Sequence, residues 1–202
     1  MPLLPPAMQG LIQAKAASVA LAGSKFMDLA GAIANASCQY ILMSSFVNST
    51  NIALGPGAGT QTGTIQGLTP SGMSALMLAK AASQGLAGRD IRKLFDAVSF
   101  GVCNAMKTVM VQGTVIGAGP GTGTGKIVGL VPTALEAFLY AQGLAKMLSG
   151  TKYTALISAI AFGVCNHIMT VGTAQLTDIG AAAGPPAGPV TIPAAPGIGR
   201  LM

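Results

Sequence analysis

The sequence predicts a mainly α-helical protein built from three tandem helical hairpins. Two observations predict this fold class. A unit of about 62–65 residues recurs three times along the 202-residue chain, and internal repetition on this scale is typical of repeat architectures. Each unit also holds two helix-like segments that are separated by a glycine-containing turn. Short connections rich in glycine and threonine are expected to be extended, as is a proline-rich C-terminal arm.

The repeat is visible in three kinds of landmark, all of which recur at intervals of 65 and then 62 residues. They are the cysteines (Cys38, Cys103 and Cys165), the starts of the Leu-Ala/Ser-Gly segments (Leu21, Leu86 and Leu148) and the prolines ahead of the first helix (Pro5, Pro70 and Pro132). Agreement at this many positions divides the chain into repeat 1 (1–67), repeat 2 (68–129), repeat 3 (130–183) and the arm (184–202).

Each unit contains residues that are typical of helix starts and helix ends. A proline beside the first helix is typical of the first helical position. The glycines of the Leu-Ala/Ser-Gly segments, at positions 23, 88 and 150, are expected to cap the end of that first helix with positive φ. A second helix, which carries the cysteine, follows at once. A turn this short predicts that the two helices pack as an antiparallel hairpin.

The connections after the second helix read differently from the helices. Gly55–Leu68 and Gly119–Leu130 alternate threonine, isoleucine and glycine, which favours extended segments around a turn, resembling β-hairpins. In the third unit Gly184–Met202 takes this place. Its four prolines between Pro186 and Pro196 exclude a helix. We expect this arm to lie across an adjacent subunit.

The composition indicates extensive burial of apolar surface. Charged residues make up 8% of the chain and the mean hydropathy is +0.63, whereas about 25% of a typical soluble domain is charged. The second helices are apolar on nearly every face, and such a helix is buried in protein or in a membrane. We therefore expect neighbouring repeats, and neighbouring chains, to cover them.

A bilayer is the other environment that fits these helices. The segment from Tyr153 to Val171 is long enough for a marginal membrane span. However, Asn166 and His167 lie inside it, and Lys107 and Asp28 interrupt the corresponding segments. A charge at mid-span costs about 2.5–3.5 kcal/mol on insertion scales. The sequence therefore favours a protein assembly over a membrane.

One motif resembles a phosphate-binding loop. Gly119 to Lys126 approaches the pattern GxxxxGK[ST], but Pro120 takes the place of its first glycine and Ile127 replaces the hydroxyl residue that would bind Mg²⁺. No helix is expected after the lysine, so no helix N-terminus would hold the anion. We predict no nucleotide site and no cofactor.

The other candidate side chains favour structural roles. The three cysteines occupy one equivalent position in each repeat, which is typical of packing; a metal site would need them to converge with His167. The acidic set contains no evident pair with a base: Asp28, Asp90, Asp96, Glu136 and Asp178. The basic residues form no long run, so nucleic-acid binding is not expected. We predict no catalytic, cofactor-binding or metal-ligating residue, and no enzyme activity.

The layout resembles the structural proteins of tailed bacteriophage virions and contractile injection systems. The features that carry the resemblance are the duplicated small modules, the Gly/Thr-rich connections and the arm from Pro185 to Pro196. The resemblance implies a non-enzymatic tail, baseplate or capsid-associated subunit, assembled in the host cytoplasm. Its partners would be copies of itself and other structural proteins, without a small-molecule substrate. The alternative hypothesis is a small multi-helix membrane protein that forms a pore or channel.

Overall fold

The computed structural model of the chain describes residues 3–53, 59–116, 122–178 and 195–202. In these ranges a short helix, a long helix and two strands follow one another three times. The helices are α1 (Pro5–Ser18), α2 (Ser24–Ser44), α3 (Pro70–Ser83), α4 (Arg89–Thr108), α5 (Pro132–Ala145) and α6 (Thr151–Val171). The strands are β1 (Phe46–Ala53), β2 (Gly59–Gln66), β3 (Met110–Ile116), β4 (Thr122–Val128), β5 (Thr173–Asp178) and β6 (Ala195–Leu201).

The predicted fold class, mainly α with separate helical hairpins, is wrong: the protein is a mixed α/β fold. The strands of all three repeats join in one closed antiparallel barrel in the order β1-β2-β3-β4-β5-β6. Each repeat supplies one hairpin, and β6 pairs with β1 to complete the circle. Closure gives every strand two neighbours, so no edge is left unpaired among the described strands.

The Gly/Thr-rich connections were correctly expected to be extended, since they contain β2 and β4, and the barrel interior explains why a closed sheet was not predicted. Alternate residues face inward, and glycines stand beside larger side chains there. A Cβ atom on Gly63 would lie 2.6 Å from Val47 Cγ1, and one on Gly125 would lie 2.7 Å from Val111 Cγ1. The narrow lumen therefore excludes side chains at these positions. Such strands lack the continuous apolar alternation by which strands are usually recognised.

The predicted arm is also corrected. Ala195–Leu201 is strand β6, which pairs with β1 and β5 of the same chain. Residues 184–194 of the predicted arm, together with residues 55–58 and 119–121 of the predicted connections, lie outside the described residues.

The turns between short and long helices differ from the prediction in one respect. The short helices end with Ala20, Gly85 and Met147 in the left-handed region, and the N–H of the following leucine donates back to the helix, as Leu21 does to the Ala16 carbonyl. The glycines at positions 23, 88 and 150 instead precede the long helices as N-cap residues with positive φ. They were expected to end the short helix, but they begin the long one.

The helices form a closed ring on one end of the barrel. Each short helix contacts the long helix of its own repeat and the long helix of the preceding repeat, and α1 closes the ring against α6. The short helices bury one face, as α1 does with Met8, Ile12 and Ala16. The long helices bury most of theirs. We had expected neighbouring chains to help bury the long helices, but the ring achieves much of this within one chain.

Each junction between repeats places a large side chain against a small residue. Ile12, Met77 and Leu139 occupy equivalent positions on the short helices, and Gly163, Ala36 and Gly101 are equivalent on the long ones. A Cβ atom on Gly163 would lie 2.8 Å from the backbone nitrogen of Ile12. On Gly101 it would lie 2.6 Å from Leu139 Cδ2, at the end of a side chain. Of the two junctions that contain a glycine, the α1–α6 junction therefore has the closer contact with backbone atoms.

The ring closure predicts unequal effects of the same substitution. Gly163→Ala should lower the free energy of unfolding by about 2 kcal/mol, because the backbone of α1 has to move. Gly101→Ala is the matched control, and we expect a smaller effect because Leu139 can rotate and alanine favours the helix. Urea denaturation of both variants measures the difference. Equal losses would contradict the assignment of α1–α6 as the tighter contact.

Removal of strand β6 should destabilise the whole barrel. Deleting residues 195–202 leaves β1 and β5 with unpaired edges, and we expect the Tm to fall by about 10 °C, as a loss of roughly 3 kcal/mol would produce in a chain of this size. The far-UV circular dichroism of the helices should change little at low temperature. An unchanged Tm, recorded by circular dichroism, would mean that β6 adds nothing to the stability of this subunit.

Candidate functional site

A cavity of about 400 Å³ opens at the end of the helix ring that lies opposite the barrel. We call it the turn-end pocket, because its walls come from the short turns and the first turns of the long helices. Four equivalent positions in each repeat line it: Leu21, Lys25, Phe26 and Leu29; Leu86, Asp90, Ile91 and Leu94; Leu148, Lys152, Tyr153 and Leu156. The pocket therefore has the same pseudo-threefold symmetry as the repeats.

The walls of the turn-end pocket are apolar. Three of the four positions in each repeat carry leucine, isoleucine or an aromatic ring. One helical turn further along each long helix, Ile33, Val98 and Ile160 are fully buried in the core. The Tyr153 hydroxyl donates to the Leu139 carbonyl at 2.9 Å, and burial raises its pKa. The Tyr153 ring therefore forms part of the pocket wall, and its hydroxyl is already hydrogen-bonded to the Leu139 carbonyl.

Three charged groups stand at the mouth of the pocket. Lys25 lies 4.0 Å from Asp28, and Asp90 lies 3.3 Å from Lys93. These pairs are largely exposed, and such pairs contribute little to stability. Lys152 forms no ion pair within the described ranges. The mouth therefore offers the ammonium group of Lys152 and that of Lys25, whose contact with Asp28 is long, while the carboxylate of Asp90 is matched by Lys93.

Positive charge is concentrated around this end of the molecule. The last turns of the short helices and the first turns of the long ones carry eight of the eleven Lys and Arg: Lys15, Lys25, Lys80, Arg89, Arg92, Lys93, Lys146 and Lys152. Three of the five acidic residues, Asp28, Asp90 and Asp96, lie there as well. The N-termini of α2, α4 and α6 meet the C-termini of α1, α3 and α5 at this end, so the opposite partial charges of these helix ends largely offset each other and the side chains set the local charge. The field at the mouth favours an anion.

The cysteines behave as packing residues. Burial raises the pKa of Cys38 to about 12, of Cys103 to about 11 and of Cys165 to about 12, so the thiols stay protonated and are poor nucleophiles. The Cys38 thiol points to the Met8 sulfur at 3.9 Å. Among the residues that the structure describes, no three His, Cys, Asp or Glu side chains come together as a metal site would require.

The described part of the segment that resembles a phosphate-binding loop forms a β-strand. Lys126 is exposed on β4 between the inward-facing Gly125 and Ile127. No helix begins after it, and the described part of the motif, Thr122 to Lys126, is paired with β3 and β5 in the barrel. Of the acidic residues, Asp96 accepts from Ser74 at 2.6 Å and pairs with Lys146 at 3.6 Å, which ties α5 to α4.

His167 joins two repeats. Its Nε2 accepts the N–H of Leu4, the N-cap residue of α1, at 3.1 Å. Tyr40 occupies the equivalent position in repeat 1, and its hydroxyl accepts the N–H of Thr69, the N-cap residue of α3, at 3.3 Å. In repeat 2 the position is Ala105, which has no such group. His167 is therefore an interlocking residue of the ring.

The turn-end pocket was missed in the sequence. Its signal is a short pattern, leucine followed at intervals of four, five and eight residues by a charged residue, a large apolar residue and a second leucine, in all three repeats. Each copy looks like the start of an ordinary amphipathic helix. Only the ring brings the three copies to one axis.

A comparison of the chain with protein families, characterised proteins and solved structures finds no match in any of the three.

The His167 contact predicts a pH-dependent stability. Burial lowers the pKa of His167 below its ordinary value of 6.5, so the contact stabilises the fold fully above pH 6.5. This stabilisation is lost as the pH falls through the lowered pKa, because a protonated Nε2 cannot accept the Leu4 N–H. His167→Ala should lose about 1 kcal/mol at pH 7.5 and less at pH 5. Urea denaturation at both pH values measures this, and a pH-independent difference would contradict it.

Proposed function

We propose that this chain is a non-enzymatic structural subunit of a large protein assembly, a tail, baseplate or capsid-associated component of a phage virion. It associates with further copies of itself through the outer face of α5. The observation that carries the proposal is an apolar stripe on that face, which the ring leaves uncovered. The resemblance of the chain's layout to virion proteins is the reason for proposing a virion as the assembly.

The α5 stripe consists of Tyr140 and Leu144, which are four residues apart on one side of the helix, and of Met147, which lies in the turn just after α5. Their side chains are 43%, 47% and 87% exposed. Phe138 and Phe162 of the same repeat are also exposed. Several large apolar side chains exposed on one repeat favour a contact with another protein.

Comparison between the repeats indicates that the stripe is specific to repeat 3. The equivalent positions on α1 are Gln13, Ala17 and Ala20, which are polar or small. The fold therefore does not require large apolar residues here. Three large apolar side chains on only one of three equivalent faces favour a directional contact, as between subunits of an assembly.

The barrel supports a structural role in a second way. Its closure leaves no strand edge free for pairing among the described strands. Its outward positions are mostly threonine, glutamine and asparagine, for example Thr64, Gln112 and Gln175. Contacts with neighbours then form through side chains on a rigid body, which lets many copies meet in one geometry.

The pore hypothesis receives support from one helix in the described residues. Thr151–Val171, which is α6, is long and apolar enough to cross a membrane, with a mean hydropathy of 1.6 over its best window. Half of that window is buried inside the protein, and the core helix of a soluble protein passes the same test. The assembly proposal therefore stands ahead of the pore.

The α5 stripe can be replaced by the residues that repeat 1 carries. The triple variant Tyr140→Gln, Leu144→Ala, Met147→Ala should keep its Tm within a few degrees and lose self-association, because these side chains contact a second copy. Size-exclusion chromatography with light scattering, in detergent-free buffer, measures the mass. Met43→Ala, which removes a side chain that is 74% exposed on another helix, is the control and should leave the mass unchanged.

Two outcomes would contradict the proposal. If the wild-type chain is monomeric at all concentrations, the proposal of self-association is wrong. If the triple variant has the same mass as the wild type, the α5 stripe is not the site of association. Recovery of folded protein only in detergent would favour the pore.

A further inference from the structure

We propose that the turn-end pocket binds a single-chain anionic amphiphile, a medium-chain fatty acid, with the alkyl chain in the cavity and the carboxylate at the mouth. This inference does not depend on the role in an assembly. It follows from the shape of the pocket, the chemistry of its walls and the charge around its opening.

The cavity has the size of a small-molecule site. Its volume of about 400 Å³ falls within the roughly 300–1,000 Å³ of ligand pockets. If a methylene group occupies about the 30 Å³ of a liquid water molecule, there is room for an alkyl chain on the order of ten carbons. Since each buried methylene contributes about 0.8 kcal/mol, a chain of this length provides the main attraction.

The wall chemistry favours an alkyl chain over a peptide. Below the mouth the walls are leucine, isoleucine and aromatic side chains, and the Tyr153 hydroxyl is already bound to a carbonyl. A peptide segment would bring N–H and C=O groups into a cavity that offers them no partners, at a cost of several kcal/mol. An alkyl chain has no such groups. An inorganic anion would meet the same apolar walls without any gain from burial.

The mouth favours a negative head group. Lys152 is exposed and unpaired within the described part of the chain, and the contact of Lys25 with Asp28 is long, at 4.0 Å. Either ammonium can therefore turn to a carboxylate without breaking a strong pair. Asp90, the one acidic group of the lining, is held by Lys93. The surrounding excess of basic over acidic side chains adds to the same preference.

The asymmetry of the mouth gives the head group a defined place. The equivalent positions carry Lys25, Asp90 and Lys152, so the carboxylate should lie on the side of α2 and α6, away from α4. The alkyl chain contacts all three repeats. The ligand would thus bridge the ring across its open end and stabilise it against unfolding.

The test is binding of dodecanoate to the full chain, below the micelle concentration, by isothermal titration calorimetry. We expect saturable binding of one molecule per chain and a rise in Tm with ligand concentration. Dodecanol, which lacks the charge, should bind roughly threefold to tenfold more weakly. Dodecyltrimethylammonium should bind more weakly still, and acetate, which lacks the chain, should not bind measurably.

Two pairs of variants locate the site. Lys25→Glu with Lys152→Glu should weaken dodecanoate binding at least tenfold and abolish the preference over dodecanol, whereas Lys107→Glu with Lys126→Glu at the barrel end is the charge-matched control. Ile91→Trp should fill the pocket and prevent binding. Ile91→Ala, which enlarges it, should shift the preferred chain towards tetradecanoate and also shows whether a change at this position is tolerated.

The absence of saturable binding of any of these amphiphiles would overturn the proposal. Equal affinity for dodecanoate, dodecanol and dodecyltrimethylammonium would also overturn it, since this would indicate nonspecific adsorption to exposed apolar surface. Unchanged binding by the folded Ile91→Trp variant would place the ligand elsewhere on the protein.

Discussion

The packing of each short helix against the long helix of the preceding repeat is the contact on which the rest of the structure depends. It joins repeat to repeat, and the α1–α6 contact, where Ile12 meets Gly163, turns a linear array into a ring. Once the ring is closed, the ends of the long helices are fixed on a circle. The strands that follow them must then meet as a barrel, and the turns that precede them must surround a common axis.

The sequence predicted the repeats and their helices because these are recorded in local features: prolines at helix starts, glycines at the turns and cysteines at nearly equal intervals. The barrel could not be predicted in this way. Gly63 and Gly125 are there because side chains from other strands fill the space beside them, and those neighbours are known only from the register of the closed sheet. The turn-end pocket has the same origin, since each repeat supplies only a third of its wall.

The three junctions between repeats are similar, but different interactions stabilise them. Tyr40 and His167 hold the N-cap residue of the next short helix, whereas Ala105 cannot. At that middle junction the ion pair between Asp96 and Lys146 joins α4 to α5, in a place where repeat 1 has Gly31. One junction is thus stabilised by an exposed charge pair, which salt weakens, and another by a histidine, which acid weakens.

Covalent linkage of the repeats has a consequence for the open end of the ring. A trimer of identical single-hairpin subunits would carry the same residue at every equivalent position, so its axial opening would be lined by three lysines or by three aspartates. One continuous polypeptide escapes that constraint. Lys25, Asp90 and Lys152 surround the axis. The backbone therefore keeps its threefold geometry, but one side of the opening carries a negative charge and the other two sides carry a positive charge.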